Sequence, residues 1–313
     1  MTYRLKLPGA FTDTTLPKFS IDPILTKGSV WLVDPTHPVQ SWESGLPAHL
    51  GSVPNLMARQ ADLLPDGLSA PTMKFYNAGL TGSFGKVERT GKGGLHVLMS
   101  QTEQADYYTS NSNYYSLISA IEHTQNNASN PFVQWLYGDG GVNKPYNHSF
   151  YLSQWIRMTR LSLTGKQAFW IGQVSAASSV TGKYNVGIMG SSDSALTNLP
   201  SGGPGRIQGA RAIGPAITNV ASVTKTGVDP TSASDICAYA FNCGHIGVVN
   251  TYLTAKESNP SIVLYRSYLE DLTISGRTYA EVTAIDQALF NQEVMTPGGR
   301  YYDDTFTNPS TIP

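Results

Sequence analysis

The chain has 313 residues, enough for one large domain with insertions or for two units. Only 14% of them are charged, well under the roughly 25% usual in soluble domains, while 30 glycines, 19 prolines and 17 tyrosines are present. A net charge of −1 gives no electrostatic basis for holding nucleic acid or an anionic membrane, and no apolar run approaches the roughly 18 residues of a membrane helix.

Taken in order, residues 1–66 read as an extended, Pro-rich N-terminal arm. Pro8, Pro17, Pro23, Pro35, Pro38, Pro47, Pro54 and Pro65 exclude long helices and central strands. Between them stand short apolar groups, and Leu7, Phe11, Leu16, Phe19, Ile24, Trp31 and Leu32 are the candidate docking points of the arm. Two readings stay open: the arm lies across another subunit, or it leads into a strand and wraps its own domain. Arg4, Lys6 and Pro8 interrupt the first apolar patch, so no secretory signal is expected and the chain folds in the compartment where it is made. Residues 54–64 are expected to form one short helix.

Residues 67–313 read as a β-sandwich domain. Strands are expected at residues 72–76, 82–89 and 95–100, separated by Gly-rich turns. An insertion follows at about 103–148, in which Tyr114, Leu117, Ile118 and Ile121 have helical spacing and predict a short helix over 112–124. Residues 149–176 alternate with period two on both sides of Thr164-Gly165-Lys166, which predicts a β-hairpin. Phe150, Leu152, Ile156 and Met158 share one face of its first strand. Tyr151 and Trp155 share the opposite face with Ser153 and Arg157, so both faces are expected to be covered. A strand at 183–190 leads into a long, weakly patterned loop at about 191–235. Further strands are expected at 236–242, 246–254 and 260–274. Thr278 and Glu281 then have the spacing of a capping box, and Val282, Ile285 and Leu289 form the stripe of a helix. An apolar strand face needs a second layer to cover it, so the expected architecture is mostly β, an antiparallel sandwich with one or two short helices.

The chemistry-bearing residues point to no catalytic constellation. The histidines His37, His49, His96, His123, His148 and His245 are scattered, without the local spacing of a zinc site. No GxSxG elbow occurs, and the glycines around Arg206 lack the Lys-Ser/Thr of a phosphate loop. Glycoside hydrolysis needs two converging carboxylates. The available pairs, Glu270–Asp271 and Asp303–Asp304, are sequence neighbours that point to opposite faces of a strand. Asp139, Asp303 and Asp304 read as solvated acidic turns before they read as calcium ligands. Cys237 and Cys243 would stand roughly 20 Å apart on one strand, so a disulfide would need a turn near Asn242; two separate thiols are the other reading. Tyr107, Tyr108, Trp135 and Tyr137 are candidate aromatics for stacking on a glycan or anchoring an interface. No catalytic residue, metal or cofactor is expected.

The run from Ser267 through Phe290 to Gly298-Gly299-Arg300-Tyr301 resembles the end of tailed-bacteriophage structural proteins that carry a concanavalin/laminin-G-like jelly-roll. The strand FYLSQWIRMTR, residues 150–160, is similar to the aromatic-to-Trp strand of laminin-G-like sandwiches. The opening LKLPGAFTDTTLPKF resembles the N-terminal arms of the same phage proteins. The resemblance implies a non-enzymatic virion component of the tail, baseplate, neck or capsid decoration, made in the host bacterial cytoplasm. Other virion proteins and further copies of the chain are its implied partners. The alternative is a carbohydrate- or host-receptor-binding module that meets a host surface glycan, and a glycan-degrading enzyme ranks third.

Overall fold

The computed structural model describes residues 22–42, 45–77, 85–100, 117–121, 127–138, 145, 148–160, 169–176, 185–190, 204–208, 236–242 and 261–312. Among these the strands run, in order, β1 (Ser29–Val33), β2 (Ser52–Val53), β3 (Met73–Tyr76), β4 (Gly85–Arg89), β5 (Leu95–Met99) and β6 (Leu117–Ser119). The second half adds β7 (Phe150–Arg160), β8 (Phe169–Ala176), β9 (Asn185–Gly190), β10 (Pro204–Gln208), β11 (Ile236–Asn242) and β12 (Ser261–Asp271). Three short helices accompany them: α1 (Pro131–Tyr137), α2 (Leu272–Ser275) and α3 (Tyr279–Phe290).

These strands make two antiparallel sheets. The first is built on β7 and β12, each 11 residues long and paired from Arg160–Ser261 to Phe150–Asp271. Burial of every β12 residue leaves its backbone groups no water, so both edges must be paired. β7 occupies one edge. The other is shared: β5 pairs Ile262–Leu264 and β1 pairs Ser29–Val33 against Glu270–Ser267. β4 continues beyond β5, and β10 lies beyond β7. The second sheet has the order β2-β3-β6-β11-β8-β9. A single apolar cluster joins the two sheets, with Leu152, Ile156, Ile262 and Leu264 from the first and Phe75, Ile118, Val174, Ala238 and Phe241 from the second.

The expected hairpin over 149–176 is not formed. β7 pairs β12 and β10, whereas β8 pairs β11 and β9 in the other sheet. Alternation specifies that a segment is extended, not which edge it joins. β7 finds in β12 a partner of equal length, which offers more ladder bonds than the shorter β8 could. The prediction that both faces of β7 are covered holds: its first six residues are all buried.

Other corrections have local causes. The helix expected over 112–124 is replaced at 117–119 by β6, which pairs β3 on one edge and β11 on the other. Two ladders satisfy more backbone than one helical turn, and Ser119 Oγ adds bonds to the carbonyls of Ile121 and Ala238. Residues 54–64 form two 3-10 turns, Leu56–Arg59 and Ala61–Leu63, because Gln60 between them (φ −135°) leaves the helical region. The loop at 191–235 contains the edge strand β10. α1 was not predicted, although Asn130 accepts from Phe132 N and Val133 N and Pro131 opens the helix, a legible start signal. The capping box of α3 forms as read, with Thr278 and Glu281 each bonding the other's backbone. The expected strand at 246–254 and Cys243 lie outside the described residues.

A charged layer on the outer face of the first sheet as the candidate functional site

A bulge in β12 aims the charges. Opposite the single step from Ile156 to Trp155, β12 advances from Leu264 to Arg266, so Tyr265 is the extra residue. Before the bulge Val263 and Tyr265 join Trp155, Phe290, Val294 and Tyr301 in a second apolar cluster outside the sheet. After it the parity flips. Arg266 now lies over the Trp155 ring at 4.6 Å, and Tyr268 and Glu270 follow at period two.

Arg266 is 2% exposed and Asp22 is 4% exposed, and Arg266 Nη2 stands 2.9 Å from Asp22 Oδ1. Asp22 also accepts from Ile24 N at 3.0 Å and meets His37 Nε2 at 3.3 Å. Burial works against ionising Asp22, but the Arg266 charge and these bonds outweigh it and hold the carboxyl well below its usual range. The same partnership raises Arg266.

Three neighbouring constellations follow the same design. Asp34 accepts from Tyr301 Oη at 2.7 Å and from both terminal nitrogens of Arg300 at 3.1 and 2.9 Å, while Arg300 Nε reaches Glu293 at 2.8 Å. Glu270 accepts from Tyr268 Oη at 2.8 Å and Arg277 Nε at 2.9 Å, and Arg277 Nη2 binds it again. Burial and the Glu270 charge push the Tyr268 phenol well above its usual pKa. Asp286, facing in from α3, accepts from Tyr151 Oη and Trp155 Nε1, both at 2.8 Å. Beyond the α2 end, His148 Nδ1 meets Asp271 at 2.6 Å while the other Asp271 oxygen caps α2. At the β4–β5 end, Glu88 receives Lys86, His96 and both polar atoms of Thr307.

These contacts are structural clamps. They join β1, β12, β7, α3 and the C-terminal segment, and each of these carboxylates is occupied by cations or donors of the same chain. Buried polar networks whose members find partners rigidify the packing around them. Of the carboxylates available for glycoside cleavage, Glu270 is held by Arg277 Nε at 2.9 Å, and Asp304 accepts from Lys92 N at 2.6 Å. Among the described residues no group of three His, Cys, Asp or Glu side chains could hold a metal, and no helix is long and apolar enough to cross a membrane.

The arm residues fall into two sets. Ile24, Trp31 and Leu32 are fully buried in this chain's own core, with Trp31 against Phe132 at 6.1 Å. That corrects their assignment as docking points, since β1 is spent on pairing with β12. Leu7, Phe11, Leu16 and Phe19 lie outside the described residues. Of the candidate glycan aromatics, Trp135 is buried against Phe132 and Phe150, which removes it as an exposed stacking platform. Tyr137 packs partly buried against the same core, and Tyr107 and Tyr108 lie outside the described residues.

Asp22, Asp34, Arg266, Asp286 and Arg300 were missed by sequence reasoning. One signal was available: Arg266 interrupts the apolar run SIVLYRSYL, and a charge inside a buried strand requires an opposite charge. Its partner's identity had no signal, because Asp22 is remote in sequence. Comparison with protein families and with curated proteins finds no match for this chain.

Proposed function

We propose that the chain is a non-enzymatic structural component of a tailed-bacteriophage virion, a concanavalin/laminin-G-like jelly-roll that assembles through its N-terminal segment and its sandwich surface. The family part of this reading rests on the resemblance of the strand 150–160, the C-terminal run and the opening segment. One observation carries the assembly part. Asp22, in the stretch that leads into β1, is clamped by Arg266, His37 and Ile24 N. A segment meant to bind a neighbour gains from a rigid root, because less orientational freedom is lost on docking. With Ile24, Trp31 and Leu32 buried in the chain's own core, Leu7, Phe11, Leu16 and Phe19 remain as the apolar points proposed for docking.

The test is deletion of residues 2–21. The shortened chain keeps the cooperative thermal transition of the full one and loses the ability to form its oligomer or to join particle proteins, as measured by light scattering after gel filtration. Unchanged assembly of the shortened chain overturns the reading.

A further inference from the structure

Residues 303–312 form a strap across the β4–β5 end of the first sheet. The Thr305 carbonyl accepts from Gly91 N at 2.8 Å and Asp304 Oδ1 accepts from Lys92 N at 2.6 Å. Thr307 donates to Glu88 from its N at 3.0 Å and its Oγ1 at 2.8 Å. The Asp304 and Ile312 carbonyls accept from Arg157 Nη1 at 3.1 Å and Arg160 Nη1 at 2.8 Å. Phe306 packs on the His96 ring at 5.1 Å and on the Arg157 guanidinium at 5.4 Å. Of the strap only Asp304 and Pro309 are buried, and it belongs to no strand of either sheet.

A segment held by polar contacts with little apolar burial stands at the low end of local stability. The face beneath it stays paired without it. His96 keeps Glu88 on Nδ1 at 3.0 Å and Thr159 Oγ1 on Nε2 at 2.9 Å. Glu88 keeps Lys86 at 2.8 Å, and Arg160 Nη2 keeps the Met99 carbonyl. A swivel is in place too: Asp303 is exposed with φ 54°, shortly after Tyr301, which is buried and donates to Asp34 at 2.7 Å.

We propose that the strap is a proton-operated cover: on acidification residues 304–312 swing away about Asp303 and uncover His96 while both sheets stay folded. This goes beyond the assembly role proposed above and does not rest on it. His96 is fully buried, and burial, the largest influence on it, holds its pKa below the usual 6.5. Opening lets water reach the ring and relieves that penalty. Glu88 favours the charged ring in both states, while Lys86 on β4 and Arg157 on β7 oppose it in both. Thr159 on β7 and Val263, the register partner of His96 on β12, carry no charge, and burial keeps the Tyr265 phenol neutral. Departure of the Asp304 charge works against opening but is smaller than the burial effect. The open form therefore takes the proton more readily, and its population grows by up to about tenfold per pH unit below 6.5. Glu88 adds the same sign below 4.5, because opening removes both bonds from Thr307.

A Cβ on Gly91 would stand 3.6 Å from Thr305 Cβ, a separation a disulfide can span, so Gly91→Cys with Thr305→Cys bolts the strap shut when oxidised. NMR from pH 7 to 5 follows the His96 ring and the exchange of the Gly91 and Lys92 amides, corrected for intrinsic rates, with β12 amides as the global reference. The parent chain and the reduced variant are expected to lose protection at Gly91 and Lys92 on acidification while β12 keeps its own. The oxidised variant should keep all of it, with His96 titrating at lower pH than in the reduced form. Phe306→Ala, which unroofs the ring without a new bond, should move the His96 titration up towards 6.5. The proposal is overturned if Gly91 and Lys92 exchange only together with β12, or if their protection does not change with pH. It is equally overturned if the His96 titration is unmoved by the disulfide or by Phe306→Ala.

Discussion

Asp22 Oδ1 stands 2.9 Å from Arg266 Nη2, with both side chains out of solvent. This contact ties the N-terminal end of the described chain to the centre of β12. Removing one member leaves a buried charge without its counter-charge, so Arg266→Met is expected to cost about 3–5 kcal/mol. The double variant Asp22→Asn with Arg266→Met should recover part of that loss, because neither site then carries a buried charge. Denaturant unfolding of the two singles and the double measures the coupling. If the singles sum to the double, the pair does not act as a unit.

The pH dependence has a defined sign. Glu88 is pulled from 4.5 to about 2: burial opposes ionisation, but bonds from Lys86, His96 and Thr307 prevail. Its stabilising contribution is fully present above pH 4.5 and is lost as pH falls towards 2. Burial lowers His96 below 6.5 despite the Glu88 charge, so the folded state resists its protonation and stability also falls as pH drops below 6.5. Melting temperature measured from pH 7 to 3 should therefore fall throughout on acidification, and more gently below pH 4.5 in Glu88→Gln. An equal acid slope in that variant would remove Glu88 from the account, since Asp22 acts in the same direction and remains.

Gly172 of β8 and Gln154 of β7 connect the two sheets. A methyl group on Gly172 would lie 2.6 Å from Gln154 Nε2, which donates to the Ala240 carbonyl at 2.6 Å. The amide could swing aside only by giving up that bond in the core. Gly172→Ala is therefore expected to destabilise by about 1–3 kcal/mol, read from the denaturation midpoint. A neutral result would mean that the two sheets tolerate a wider spacing here.

What could be read from sequence follows the range of each interaction. The 3.6-residue stripe and capping box of α3 are local, and they appear as expected. The period-two runs at 73–76, 85–89, 95–99 and 236–242 are likewise local and form strands. Pairing is not local. Nothing in residues 149–176 says that β7 leaves β8 for β12, because the preference comes from a strand more than a hundred residues away. The charged layer was hidden for the same reason, and for a second one. The bulge at Tyr265 reverses which β12 residues face outward, and a reading that assumes unbroken alternation places Arg266, Tyr268 and Glu270 on the wrong side.

The proposed division of the arm into the buried strand β1 and a docking segment makes opposite demands on two sets of side chains. Trp31 is fully buried, packs against Phe132, and donates from Nε1 to Ser267 Oγ at 3.3 Å. Trp31→Ala should cost about 3–5 kcal/mol through the cavity it leaves, and any loss of assembly should follow from unfolding. The double variant Leu7→Ser with Phe11→Ser should behave conversely, with stability within about 0.5 kcal/mol of the parent and assembly reduced. Denaturation and light scattering on the same samples separate the two effects. If Trp31→Ala stays fully stable but fails to assemble, β1 belongs to the docking surface after all. If Leu7→Ser with Phe11→Ser unfolds the chain, those residues serve its own core and the arm reading fails.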